Sequence, residues 1–148
     1  MYRNILIATD GSELALKAVD HGAQLAKKVG ASAIILTVTE SWSGLDMAGD
    51  FEHGVMNPVE MYESTAAKSA EKILAVAAEK AKSHGIDCKT LHIRDSPPAE
   101  GILATATEKG CDLIVMASHG RRGLNRMLMG SQTAEVIAYS KIPVLVLR

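Results

Sequence analysis

Short apolar runs alternate with longer segments of helical periodicity along this chain of 148 residues. Most of the runs are continuously apolar, which is typical of strands covered on both faces of a sheet. The run at residues 88–93 alternates more between polar and apolar positions, which predicts a strand at the sheet edge. The predicted strands are Ile5–Ala8, Ala33–Val38, Lys89–Ile93, Leu113–Met116 and Val144–Leu147.

Helix start and stop signals separate these strands. Ser12 is placed to cap the first helix, and Gly30 and Gly85 follow two helical segments where a left-handed residue ends a helix. Pro97 and Pro98 fit the first turn of a third helix. The predicted helices span residues 12 to about 29, 58 to about 84, 98 to about 110, and 131 onward. The order βαβ-loop-αβαβαβ predicts parallel strands joined by right-handed crossovers.

Residues 40–57 lie between the second strand and the second helix without a clear pattern. This insert contains Trp42, Met47, Phe51 and Met56. A loop of this length is usually functional or mobile. Closure over a ligand, packing on a partner subunit and disorder all remain open.

Composition narrows the classes of partner. The net charge of −1 and the 3% aromatic content predict no nucleic-acid partner, since neither a basic field nor stacking platforms are available. No apolar run approaches the roughly 20 residues that span a membrane. Cys88 and Cys111 are isolated, which favours neither a zinc site nor a disulfide. Together with a strand by Ile5, which leaves no room for a signal peptide, this predicts a single cytoplasmic domain over residues 1–148.

Residues 117–131 carry the strongest chemical signal. They connect the predicted fourth strand to the fourth helix, and small residues frame the loop at Ala117, Gly120 and Gly130. Three of the six arginines lie there, at positions 121, 122 and 126. Backbone N–H groups at a helix start have no partner within the helix and bind anions. A phosphate is therefore one interpretation; a surface loop with solubilising arginines and an N-capping Ser131 is the other.

Ligands of open parallel sheets bind beyond the carboxyl ends of the strands. Asp10, the Val38-Thr39 pair and the 117–131 loop meet at that edge if strands one, two and four are neighbours. The loop matches neither the Walker A pattern nor the GxGxxG pattern, so general nucleotide motifs do not decide its ligand.

The chain resembles the universal stress protein family over its full length. The resemblance rests on residues 5–12 (ILIATDGS), 118–123 (SHGRRG), 130–131 (GS) and 143–146 (PVLV). The ATP-binding branch of that family carries Gly-x2-Gly-x9-Gly-[Ser/Thr]. Gly120, Gly130 and Ser131 match this signature, whereas Ala117 stands in place of its first glycine.

The resemblance implies an α/β fold with an open five-stranded parallel sheet and four helices, a Rossmann-like nucleotide-binding architecture. It implies ATP as the ligand, with Mg or Mn bound through the phosphates and Asp10 beside the metal and ribose. Val38 would meet the adenine through its backbone, and Met116 would pack nearby. The phosphates are predicted on the backbone N–H groups of Gly120, Gly130, Ser131 and Gln132. The full predicted site is Ala8, Thr9, Asp10, Val38, Met116, Ala117, His119, Gly120, Arg121, Gly130, Ser131 and Gln132.

The leading hypothesis is a regulatory ATP-binding protein of the stress response that acts on an unidentified protein partner without robust catalysis. The alternative is a slow ATPase or nucleotidyl-transferring enzyme that uses the same site; a single-turnover assay with labelled ATP separates the two. A dimerisation module without nucleotide is a third hypothesis, and the presence of Gly120 and Gly130 argues against it. No GxSxG motif is present, and adjacency of Ser118 and His119 in sequence is no evidence of a nucleophile–base pair.

The last strand is predicted to form a homodimer by pairing antiparallel with its copy. It is apolar, it ends the sequence, and no charge lies between Val144 and Leu147. The resemblance implies the same arrangement. Val146→Lys is predicted to disrupt the dimer if that side chain faces the interface, with Val144→Lys as the control on the opposite face. A monomer whose edge strand is blunted by Pro143 and Arg148 is the alternative.

Overall fold

The computed structural model describes residues 1–41, 58–121 and 129–148. Its secondary structure follows the predicted order. The elements are β1 (Asn4–Ala8), α1 (Glu13–Val29), β2 (Ser32–Val38), α2 (Pro58–Lys82), β3 (Lys89–Ile93), α3 (Pro98–Glu108), β4 (Leu113–Ala117), α4 (Ser131–Tyr139) and β5 (Val144–Leu147). The predicted insert lies outside the described residues from position 42 onward, as do Arg122 and Arg126.

The five strands form one parallel sheet in the order β3-β2-β1-β4-β5. The predicted α/β fold is therefore confirmed. Strands β2, β1 and β4 are neighbours, as the predicted site requires, and β3 lies at an edge, as its alternating pattern predicts. Strand β5 forms the other edge.

Helices cover both faces of this sheet, which explains the continuously apolar strands. Ile5 and Ile7 of β1 face α1 and α2, whereas Leu6 between them faces α3 and α4. All three are fully buried. Among the described residues, no helix is long and apolar enough to cross a lipid bilayer.

The predicted capping residues of α1 are confirmed at both of its ends. The Ser12 side chain accepts a hydrogen bond from the N–H of Ala15 at 3.2 Å, and Gly30 ends the helix with a φ of 69°. Helix α2 ends at Lys82, before the predicted position near residue 84. The Ser12 cap marks where α1 starts, and therefore where the turn after β1 lies.

The prediction that Val144 and Val146 of β5 lie on opposite faces of the sheet was wrong. Val144 and Val146 both pack toward the core shared with α3 and α4, whereas Leu145 and Leu147 pack toward α1. Side chains alternate along a strand, so residues two positions apart share a face. Val144→Lys is therefore no control for Val146→Lys.

Candidate functional site

A cavity of about 420 Å³ opens at the carboxyl ends of β1, β2 and β4. All twelve predicted site residues border it. Six further residues also line it, from β2, α1, α3, α4 and the segment after β2. These six are Ala15, Leu36, Glu40, Pro98, Ile102 and Thr133.

One half of the cavity is apolar. Its walls come from Leu36 and Val38 of β2, Met116 of β4 and Ile102 of α3. Gly101 lets α3 approach β2 closely, since a Cβ at Gly101 would lie 3.0 Å from both Cγ atoms of Val38. The arrangement gives a flat apolar group, such as a purine, a place between a strand end and a helix.

The backbone of Val38 is turned toward the cavity. The carbonyl of Leu36 accepts a hydrogen bond from the N–H of Thr9 at 2.9 Å, so the polar groups of Leu36 face β1. Backbone groups of residues two positions apart on a strand point the same way. Because β1 ends at Ala8, the N–H and C=O of Val38 point past the end of that strand.

The other half of the cavity contains the start of α4. Gly130 is the N-cap in an extended conformation, and no side chain of the described residues caps this helix. Ser131 is the first helical residue, so the interpretation of Ser131 as an N-cap was wrong. The N–H groups in the first turn of α4 therefore lie at the cavity without a capping side chain, which favours an anion there.

The Gly130 N–H, which was predicted to bind a phosphate, has a partner within the protein. Its N–H donates to the carbonyl of Ser118 at 2.8 Å and is already engaged. A Cβ at Gly130 would lie 3.3 Å from that carbonyl oxygen and from Cα of His119, so glycine keeps the two loop segments close. Gly130 thus shapes the loop, and Ser131 and Gln132 offer the amides.

Asp10 ties the turn after β1 to the loop after β4. Its Oδ1 accepts from the N–H of Ser12 at 2.9 Å, and its Oδ2 accepts from the N–H of Arg121 at 2.8 Å. A Cβ at Gly120 would overlap Oδ2 of Asp10. An ionised carboxylate has about four acceptor positions, so these two bonds leave capacity for a cation. The sequence offered a ligand role or a turn role for Asp10 and did not predict its bond to Arg121.

Arg121 lies over the turn at Gly11. A Cβ at Gly11 would lie 2.8 Å from Nη2 of Arg121 and 2.8 Å from Cγ1 of Ile73 in α2. Gly11 also has a φ of 79°, which disfavours other residues. The Arg121 guanidinium therefore lies beside the turn that carries Asp10, at the cavity.

His119 has one ring nitrogen engaged. Its Nδ1 lies 3.2 Å from Oγ of Ser118, and Ser118 is only 4% exposed. The contact engages Nδ1 and not Nε2, and His119 borders the cavity. Ser118 is not among the residues that line the cavity, which gives no support to a nucleophile there.

Two contacts of α4 were not predicted. The hydroxyl of Thr133 donates to the carbonyl of Ala117 at 2.9 Å, and Oε1 of Gln132 accepts from the N–H of Ala99 at 2.9 Å. Both side chains follow directly on the Gly130-Ser131 pair. They join the start of α4 to the end of β4 and to the start of α3.

Within the described residues, no three His, Cys, Asp or Glu side chains are grouped to hold a metal ion. His92 contacts Oγ1 of Thr39 through Nε2 at 2.8 Å; burial lowers the pKa of His92 and the nearby Arg94 lowers it further. Burial raises the pKa of the half-buried Cys88 to about 11, with Asp87 adding to the shift, so this thiol stays protonated at neutral pH.

The fold and this cavity define an α/β protein with a cleft at the strand ends, where open parallel sheets bind their ligands. The model of the universal stress protein family matches residues 1–148. The chain belongs to this family. The universal stress protein YxiE of Bacillus subtilis is 36% identical over 156 residues, with both chains fully covered.

Solved structures of related proteins have the same fold. Protein MJ0577 of Methanocaldococcus jannaschii superposes with a TM-score of 0.82 at 28% identity, over 99% of this chain and 96% of that chain. A universal stress protein in complex with cAMP superposes with a TM-score of 0.72 at 26% identity, over 99% of this chain and 97% of that chain.

Proposed function

We propose that this protein binds ATP in the cavity at the strand ends and acts as a regulatory homodimer in a stress response, without robust catalysis. The observation that carries the proposal is the uncapped start of α4, which borders a cavity whose other half is apolar. Binding of cAMP by a structural relative supports an adenine nucleotide.

The cavity fits the parts of ATP. The apolar half beside Val38 and Met116 would hold the adenine, and the polar groups of the Val38 backbone would meet its edge. The phosphates would lie at the N–H groups of Gly120, Ser131 and Gln132, near the positive end of the α4 dipole. The resulting complex would change the loops around the cavity and so the surface offered to a protein partner.

A proline at position 131 tests the phosphate assignment. Proline is tolerated at the first helical position, and Gly130 already has the extended backbone that a residue before proline prefers. Ser131→Pro removes one N–H from the cavity while α4 persists. We expect ATP affinity to fall about tenfold or more, since a hydrogen bond to a charged group contributes about 1.5–3 kcal/mol. Isothermal titration calorimetry measures the change.

Ser131→Ala is the matched control. It removes the hydroxyl and keeps the N–H, so the difference between the two variants isolates the amide. Equal ATP affinity in both variants, with unchanged circular dichroism, would contradict phosphate binding at the start of α4.

Asp10 would share a divalent cation with the phosphates. Carboxylate oxygens and phosphates are the ligands that Mg²⁺ and Mn²⁺ use at such sites. We expect Mg²⁺ to strengthen ATP binding by the intact protein, and Asp10→Asn to reduce that benefit by about tenfold. Calorimetry with Mg²⁺ and with a chelator measures both affinities.

The Asp10→Asn result needs a control for the loop, since the Arg121 N–H donates to the carboxylate. Amide exchange at Arg121 in the absence of ATP reports this contact. If Mg²⁺ strengthens ATP binding by the same factor in both proteins, Asp10 holds the loop and does not serve the metal.

The domain organisation, the cellular location and the protein partner in this proposal come from the sequence analysis. Residues 1–148 would act as one domain in the cytoplasm, with a regulatory protein as partner. Only two carboxylate side chains, those of Asp10 and Glu40, are among the described residues that border the cavity. Asp10 is engaged with two backbone amides, which favours a role in holding nucleotide over one in activating water.

A further inference from the structure

Helix α3 receives its cap from another helix. Its own N-cap is Pro97, which provides no side-chain acceptor, and Pro98 has no N–H. The first available N–H is that of Ala99, and it donates to Oε1 of Gln132 at 2.9 Å. A residue in the first turn of α4 thus satisfies a donor that a local side chain usually satisfies.

This contact fixes the orientation of the Gln132 amide. Because Ala99 supplies a donor, the oxygen of Gln132 must face it, and the NH₂ group lies on the other side. Across residues 1–41, 58–121 and 129–148, no partner for Nε2 of Gln132 is found. Gln132 borders the cavity, and its side-chain oxygen is the atom engaged with Ala99, which leaves the NH₂ group as the part of this side chain that a ligand could use.

Gln132 also joins the two halves of the cavity. Its backbone N–H belongs to the first turn of α4, where the phosphates are proposed. Its side chain holds the start of α3, which supplies Pro98 and Ile102 to the cavity lining. A shift of the Gln132 side chain would therefore move the apolar wall relative to the anion-binding turn.

We infer that Gln132 is a positioning and specificity-determining residue: its side-chain oxygen sets α3 against α4, and its side-chain NH₂ donates to a phosphate oxygen of the bound nucleotide. The inference rests on the proposed ATP site. It predicts a preference for phosphorylated ligands over the nucleoside that comes in part from a side chain.

Two substitutions separate the two roles. Gln132→Glu keeps an oxygen for the Ala99 N–H but replaces the NH₂ donor with a negative charge. Gln132→Met has a similar length and removes both. Calorimetry with ATP and with adenosine gives the affinities, and NMR amide exchange at Ala99 reports the contact between helices without any ligand.

The chain provides a matched control in its other glutamine. Gln24 is exposed on α1, where its Nε2 donates to Asp20 at 2.8 Å. Gln24→Glu and Gln24→Met make the same chemical changes away from the cavity. Both should bind ATP and adenosine as the unchanged protein does.

For Gln132→Glu we expect ATP affinity to fall about tenfold or more, adenosine affinity to stay the same and Ala99 to remain protected. For Gln132→Met we expect faster exchange at Ala99 and weaker binding of both ligands. If Ala99 exchange and both affinities match the unchanged protein in both variants, the inference is wrong.

If the unchanged protein binds neither ATP nor adenosine, the proposed function fails and the ligand role of Gln132 fails with it. Ala99 exchange still decides the contact between helices: protection in Gln132→Glu and its loss in Gln132→Met support that part, and equal exchange contradicts it.

Discussion

Gly120→Ala is expected to lower the free energy of unfolding by about 1–3 kcal/mol and ATP affinity more than about tenfold. The added Cβ would overlap Oδ2 of Asp10, so either the carboxylate or the loop after β4 must move. The φ angle of Gly120 is not positive, so its backbone conformation is open to other residues. Glycine is needed at position 120 because a side chain has no space there. Urea unfolding and calorimetry measure the two losses.

A double-mutant cycle with Asp10→Ala tests the cause. Without the carboxylate, the Cβ at position 120 has room, so Gly120→Ala should cost little stability in that background. Contacting residues give non-additive effects of this kind, whereas independent residues give additive ones. Additive losses of stability would show that the Asp10 carboxylate is not what excludes a side chain at Gly120.

The fold could be predicted from local signals. Continuous apolar runs at β1, β2 and β4 indicated strands covered on both faces, and each lies inside the sheet. Ser12 and Gly30 bounded α1 because capping depends on a few neighbouring residues. These features need no knowledge of distant contacts.

The internal contacts of the site could not be predicted in the same way. The N–H of Arg121 bonds to Asp10 across 111 positions, and the N–H of Ala99 bonds to Gln132 across 33. The residues around Arg121 and Ala99 give no indication of which distant side chain accepts each hydrogen bond. The missed cap of α4 also involves a distant contact: Ser131 has the preferred residue type, but Gly130 has the extended backbone of the cap residue, and its N–H bonds to Ser118 across the loop.

The outer edge of β5 bears on the proposed homodimer. Within the described residues, β5 pairs with β4 alone. The carbonyls of Pro143 and Leu147 accept from Ile114 and Ser118 of the β4 side, at 2.9 and 2.7 Å. Since backbone groups alternate in direction along a strand, those of Val144 and Val146 point away from β4.

Val146→Pro is therefore a sharper test than a lysine on the core-facing side. Proline at an edge strand removes only the outward N–H and leaves the bonds to β4 in place. In an antiparallel pair related by twofold symmetry the loss occurs twice. We expect dimerisation to weaken by about 2 kcal/mol, or roughly 30-fold in Kd, at about 1 kcal/mol for each lost bond. Sedimentation velocity over a range of concentrations measures the change.

Val146→Ala separates the backbone from the side chain. It retains the outward N–H and removes part of a half-buried side chain, so it should lose some stability and keep the dimer. Circular dichroism of both variants checks that the sheet and helices persist. If Val146→Pro dimerises as strongly as the wild-type protein, the interface lies elsewhere. If the wild-type protein is a monomer at micromolar concentration, the homodimer itself is refuted.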